Sequence, residues 1–265
     1  MSRVSLANFR LDGKTAFISG AAGHLGRQMA LALGRAGAHI IANGRDAAKL
    51  AAFANELKAE GISTETAAFD VMDLPTLRAY FERLTHLDIL INNAVTMRPN
   101  AFAAVTPEDF DTAYRSAVVA AFEAARSARP TLARAVAERG DASVINIASM
   151  YGTVSPDMRL YNSPAQMSPP HYGAAKAALI QLTRHLASEL GPEGIRANAL
   201  CPGPFPRDAV TQQDPEFAGR LAARTMLCRV GSASEIGGPV LFLASPAASF
   251  VTGSVLMADG GWTAW

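Results

Sequence analysis

The stretch Ser19-Gly20-Ala21-Ala22-Gly23-His24-Leu25-Gly26 decides how the rest of the chain is read. Before it lies Lys14-Thr15-Ala16-Phe17-Ile18-Ser19, a short β-prone run. After it, Leu25 to Ala36 repeats apolar residues at helical spacing until Gly37 stops the pattern. Small residues between a strand and a helix let the backbone turn tightly and leave N–H groups bare at the helix N-terminus, a natural seat for a pyrophosphate. Beyond Gly37 the alternation continues. Ala38 to Asn43 predicts a second buried strand, Asp46 caps a helix running to Glu60 before Gly61, and a third strand ends at Asp70-Val71. Asp73 and Pro75 open a helix, and Leu87 to Asn92 is a fourth strand. Thr106-Pro107-Glu108-Asp109 starts a long helix reaching about Arg139, with a kink expected at Pro130. Strands at Ser143–Ala148, Arg196–Leu200 and Ser254–Ala258 complete the series, with a helix at Ala174–Leu190. Such alternation predicts an α/β fold: one doubly wound domain over residues 1–265, with about seven parallel strands and helices on both faces. The proline-rich stretches Thr153 to Pro170 and Cys201 to Asp214 each follow a strand, where open parallel sheets bind ligands, and read as substrate-site walls.

Composition narrows the classes. The 265 residues are 49% hydrophobic and 18% charged, with a net charge of +1, so no basic stripe for nucleic acid is expected and self-association suits the sparse polar surface. Cys201 and Cys228 show no metal or redox spacing; no metal site is expected, and a reducing compartment suits them. Met1 to Gly13 has no apolar leader, and no run is long enough for a bilayer, which predicts a cytoplasmic protein without a membrane partner.

Chemistry concentrates at His171-Tyr172-Gly173-Ala174-Ala175-Lys176. Residues four apart share a helix face, so phenol and ammonium point into one space. A lysine cation beside a tyrosine favours the phenolate and brings its proton within working range at neutral pH. Of the five tyrosines, Tyr80, Tyr114, Tyr151 and Tyr161 are followed four places on by Leu84, Val118, Ser155 and Ala165; Tyr172 alone has a lysine. At the end of the second strand, where dinucleotide sites hold the adenosine ribose, the chain reads Asn43-Gly44-Arg45 with no acid before Asp46. Arg45 suits a 2′-phosphate and favours NADP(H) over NAD(H); the competing reading is a solvated arginine before a helix.

With these parts in order, the chain resembles the classical short-chain dehydrogenase/reductase family over nearly its whole length. The family's Thr-Gly-x-x-x-Gly-x-Gly is matched by Ser19-Gly20-Ala-Ala-Gly23-His24-Leu25-Gly26, with serine for threonine and the middle glycine one place early. Its Asp-Val falls on Asp70-Val71, its Asn-Asn-Ala-Gly on Asn92-Asn93-Ala94-Val95, and its active-site serine on Ser149. Its Tyr-x-x-x-Lys is Tyr172 and Lys176, its Asn-x-x-x-Pro-Gly runs from Asn198 to Pro202-Gly203, and its closing Asp-Gly-Gly is Asp259-Gly260-Gly261. The resemblance implies a Rossmann-type fold and hydride transfer between a nicotinamide and a small alcohol or carbonyl substrate. It implies that Ser149 orients the substrate oxygen, Tyr172 exchanges a proton with it, and Lys176 holds the nicotinamide ribose while depressing the tyrosine pKa. The dinucleotide would be held by Ser19, Gly20, Gly23, His24, Leu25, Gly26, Arg45, Asp70, Val71, Asn93, Ala94, Tyr172, Lys176, Pro202, Gly203 and Phe205.

Three departures matter. Where the family places an asparagine in the long fourth helix, this chain has Ala117 beside Ser116, which leaves a small residue packing a helix interface or a proton relay rebuilt through Ser116 or water. The segment between Ser149 and Tyr172 is long and suggests a lid, a specificity wall or a subunit contact. After Gly203 the chain reads Pro204-Phe205-Pro206-Arg207, and Arg207 with Arg98 and Arg159 would suit an anionic substrate unless all three are solvated surface. The alternative function is a non-catalytic dinucleotide-binding or scaffold member of the fold, supported by Ala117. A sugar-nucleotide epimerase is disfavoured, because only about sixty residues follow Gly203. The Ala-rich helices and the apolar end Gly261–Trp265 predict a homodimer or homotetramer in which a neighbour covers the tryptophans.

Overall fold

The computed structural model describes residues 5–97, 101–163 and 167–265. Side-chain alternation along the strands sets its layers. In β1 (Thr15–Ser19), Ala16 and Ile18 face one side and Phe17 the other. The same split recurs in β2 (His39–Gly44), β4 (Ile89–Asn92) and β5 (Ala142–Ile147), where Ile40, Ile91 and Ile145 oppose Ile41, Leu90 and Val144. The first face is covered by α1 (His24–Arg35), α2 (Ala47–Ala59) and α9 (Gly237–Ala244). The second is covered by α3 (Leu74–Arg83), α5 (Ala120–Arg139) and α6 (Pro170–Leu190). Phe17, Phe53 and Phe81 are fully enclosed between these layers, each worth about 1.5–3 kcal/mol of burial.

With β3 (Thr64–Ala68), β6 (Ile195–Pro202) and β7 (Val255–Ala258), the described residues form one seven-stranded sheet in the order β3-β2-β1-β4-β5-β6-β7, every pairing parallel. Strand order reverses between β1 and β4, so the crevice beyond their carboxyl ends is where this topology binds a ligand. The amino ends carry buried charge instead. Lys14 Nζ and Arg196 Nε both reach Asp141, at 2.8 and 2.9 Å, and the Arg196 guanidinium also donates to the Leu243 and Ser245 carbonyls.

Four expectations are corrected. The third strand ends at Ala68, because the Asp70 carboxylate accepts the Met72 N–H at 2.9 Å and turns the chain, leaving Asp70-Val71 in a loop. The sixth strand runs on to Pro202, which pairs with Ala258 while Gly203 donates to the Ala258 carbonyl. The tyrosine helix begins at Pro170, four residues early, since proline's fixed φ and missing N–H suit a first helical turn. The long helix is interrupted at Arg115–Val119, a π-helical segment between α4 (Pro107–Tyr114) and α5, and α5 continues through Pro130. Ser116 Oγ donates to the Ala113 carbonyl and accepts the Thr96 N–H, which ties the wide turn to the end of the β4 loop.

Candidate active site

The glycine-rich turn is braced from below. Ser19 Oγ accepts the N–H groups of Asn93 and Ala94 at 2.9 and 3.0 Å, and the Asn93 amide donates to the Ser19 carbonyl at 2.8 Å. Ser19 and Asn93 therefore lock the turn to the end of β4. Gly20 adopts φ +65°, a conformation open to glycine, and a Cβ at Gly26 would collide with the Gly20 carbonyl. The turn opens into a cleft of about 300 Å³ lined by Gly20, Gly23, Arg45, Asp70, Val71, Asn93 and Ala94, together with Thr96, Ser116 and Arg207. Seven expected dinucleotide residues thus share one cleft. A bare glycine cradle with a cation at one end fits a phosphorylated dinucleotide, with the phosphates on the turn and the adenosine ribose near Arg45.

Arg45 is 68% exposed, and its Nη1 lies 3.8 Å from Asp70 Oδ2. Asp46 Oδ1 accepts the Lys49 N–H at 3.0 Å, so that acid is spent as the α2 cap. His24 and Leu25 begin α1, and His24 Nε2 donates to the Phe205 carbonyl at 3.0 Å. This contact pins the end of β6 and the segment after it, with Pro202, Gly203 and Phe205, against the turn. Nothing in the residue types announces it; the signal was a histidine where glycine is usual.

Ser149, Tyr172 and Lys176 come together beyond the carboxyl end of β5. Ser149 Oγ accepts the Tyr151 N–H at 3.1 Å, which leaves its hydroxyl proton free to turn toward the Tyr172 phenol. The Lys176 ammonium donates to the Ile147 carbonyl at 2.6 Å and lies 5.7 Å from the centre of the Tyr172 ring. Burial pushes the Lys176 pKa down to about 8. Burial also holds the Tyr172 phenol above its ordinary value, with the Ser149 hydrogen bond pulling the other way. The Lys176 ammonium approaches the ring rather than the hydroxyl, so the phenol's shift is set by desolvation. Cys201 completes the floor; it is fully buried in the cluster of Ala148, Ala175 and Leu179, and burial lifts its thiol to about 11.

Ala117 is buried among Ala113, Val118 and Ala121 against α6, the packing role expected of a small residue. Both hydrogen-bonding functions of Ser116 are engaged, so that hydroxyl does not stand free for a relay. A chain of amides crosses the strands instead: Asn92 donates to Asn146 at 2.9 Å, and Asn146 donates to Thr183 at 2.8 Å.

The long segment after Ser149 joins a second wall. Arg220, on α8 (Pro215–Ala223), donates to the Leu160 carbonyl and to Asn162, while Asn162 donates to Asp214. The Tyr151 and Tyr161 hydroxyls bond each other at 3.0 Å, and the Tyr161 ring lies 5.7 Å from Phe217. Trp262 is covered from within, by Tyr151 and by Arg224 at 5.7 Å, so of the two terminal tryptophans only Trp265 stays exposed. Of the three arginines, Arg159 pairs with Asp157 at 2.8 Å and Arg207 lines the glycine cleft, while Arg98 lies outside the described residues. No described helix is long and apolar enough to cross a membrane.

The family model described as enoyl-(acyl carrier protein) reductase matches residues 20–263. Gluconate 5-dehydrogenase of Gluconobacter oxydans (strain 621H) is 33% identical over 261 residues, covering 96% of each chain. Galactitol 2-dehydrogenase (L-tagatose-forming) of Cereibacter sphaeroides is 35% identical over 262 residues, covering 97% of this chain and 98% of that one. The crystal structure of a gluconate 5-dehydrogenase from Burkholderia cenocepacia J2315 in complex with NADP and tartrate superposes with a TM-score of 0.85 at 33% identity, covering 98% and 99% of the two chains. The chain belongs to the short-chain dehydrogenase/reductase family and is an NAD(P)-dependent alcohol/carbonyl oxidoreductase of that type.

Proposed function

We propose that the protein interconverts an alcohol and a ketone or aldehyde with NADP(H), using Ser149, Tyr172 and Lys176. The observation that carries this reading is the meeting of the three side chains beyond β5, with the Lys176 ammonium 5.7 Å from the centre of the Tyr172 ring and Ser149 close enough to lower the phenol's pKa. The bound nicotinamide supplies the hydride. Ser149 holds the substrate oxygen against the Tyr172 hydroxyl, and the phenol, protonated at neutral pH, gives its proton to that oxygen as the carbonyl is reduced. Lys176 holds the ribose and stabilises the phenolate left behind.

NADP(H) is favoured over NAD(H) because the end of β2 presents Arg45, whereas Asp46 is consumed by the α2 cap. A relative solved with NADP supports this choice. The names of relatives acting on gluconate and galactitol make sugar acids and polyols the first substrates to assay, together with their keto forms.

The experiment is a substrate panel read by NADPH absorbance, with Tyr172→Phe and Arg45→Ala as controls. Tyr172→Phe is expected to bind NADPH normally and lose about 10²–10⁴-fold in kcat. Undiminished turnover would discard the assignment. Arg45→Ala is expected to erase the preference for NADPH over NADH in binding, and equal binding by the unaltered protein would reject the choice of cofactor.

A further inference from the structure

We infer that Arg207 is a diphosphate-binding residue, reaching across the cleft to the phosphates that the glycine turn receives. The inference rests on the dinucleotide reading above and adds a ligand from the opposite wall.

Arg207 lines the same cleft as Gly20, Gly23 and Arg45, although it lies more than 160 residues further along the chain. Its guanidinium makes no hydrogen bond or ion pair with any described residue, whereas Arg45 already faces Asp70 and Arg159 is held by Asp157. An unpaired guanidinium on a cleft floored by the glycine turn at the start of α1 has a shortage of anion around it. Five donors in a planar fork match a pair of phosphate oxygens better than any other side chain.

The segment bearing Arg207 is also positioned by a second contact. The His24 ring, in the first turn of α1, donates to the Phe205 carbonyl at 3.0 Å. Two residues further on, Arg207 precedes α7 (Asp208–Gln213). The histidine thus anchors the 203–207 segment to the phosphate turn itself, and Arg207 at the end of that segment lines the cleft. In this arrangement one wall gives backbone N–H groups and the facing wall gives charge. Arg45 follows the end of β2, where the ribose phosphate would lie, so the two arginines would read different phosphates.

Calorimetric binding of nucleotides separates these roles without any turnover measurement. The probes are NADP, NAD, ADP-ribose and 2′-AMP, the last having no diphosphate. Arg207→Gln is expected to weaken NADP, NAD and ADP-ribose by the same factor, about tenfold or more, and to leave 2′-AMP unchanged. Arg45→Ala should weaken NADP and 2′-AMP and spare NAD and ADP-ribose. Arg207→Lys should recover part of the loss, and the salt dependence of ADP-ribose binding should flatten in Arg207→Gln. An Arg207→Gln protein with unaltered melting temperature and unaltered ADP-ribose affinity overturns the inference, as does one that weakens 2′-AMP. Unchanged nucleotide affinity with a raised KM for an acidic substrate also overturns it and returns Arg207 to the substrate. If the unaltered protein binds none of the four nucleotides, the dinucleotide reading fails together with this one.

Discussion

The Lys176 ammonium faces the ring of Tyr172, 5.7 Å from its centre, and spends its one direct hydrogen bond on the Ile147 carbonyl at 2.6 Å. Among the described residues the lysine is thus a buried cation held by a single neutral partner, beside the Tyr172 phenol.

That arrangement costs the fold. Burial lowers Lys176 from its ordinary value to about 8, so the folded chain binds fewer protons than the unfolded chain between roughly pH 8 and 10.5. Stability from this group therefore rises with pH through that window, and below it the penalty is constant. Lys176→Met is expected to raise stability by on the order of 1–3 kcal/mol at pH 7 while abolishing turnover. Urea denaturation measures the first effect and NADPH oxidation the second; a destabilised Lys176→Met protein contradicts the account.

The raised phenol pKa has an opposite consequence for each direction of reaction. On the proposed mechanism, carbonyl reduction uses the protonated phenol and should stay level across neutral pH, falling only at alkaline pH. Alcohol oxidation would need the phenolate and should climb as pH rises. Because the nearby Ser149 hydroxyl pulls the phenol down, Ser149→Ala is expected to move both limbs to higher pH. Profiles of kcat against pH in the two directions check the sign, and an oxidation rate that drops with alkalinity refutes it.

Gly26 tests the phosphate turn alone. A Cβ there collides with the Gly20 carbonyl, so Gly26→Ala must push the turn away from α1. Weaker NADP binding and a lower melting temperature are expected together, with a stability loss of about 1–3 kcal/mol. Titration calorimetry and thermal unfolding read the two, and full retention of both would show that the turn adapts.

At the far end of the sheet, Asp141 holds two buried cations. Burial alone would raise its pKa, yet the Arg196 hydrogen bond and charge, then those of Lys14, keep the carboxyl below its ordinary value. Its stabilising contribution is therefore present above about pH 4 and fades as pH falls further. Asp141→Asn leaves Lys14 and Arg196 unpaired and should destabilise by about 3–5 kcal/mol. A loss under 1 kcal/mol in urea unfolding would mean that water enters the site.

Much of this layout was readable from residues alone, because it depends on near neighbours in the chain. Asp46, Asp73 and Thr106 cap their helices as their types predict, and the apolar runs become the strands of one parallel sheet. What escaped depends on partners far along the chain. The π-helical segment follows from a bond between Ser116 and Thr96, and the site wall from Arg220 reaching Leu160. The spacing of Tyr172 and Lys176 gave their shared face, but how deeply that face is buried governs the sign of the phenol shift, and spacing does not report depth.

The ion cluster of Lys14, Asp141 and Arg196 closes the amino edge of the sheet, while the reactive groups occupy the carboxyl edge. Adaptation can therefore work on the two rims separately. A lineage that reshapes the rim that meets substrate leaves intact the rim that secures the strands, and new specificities can arise without first rebuilding the scaffold.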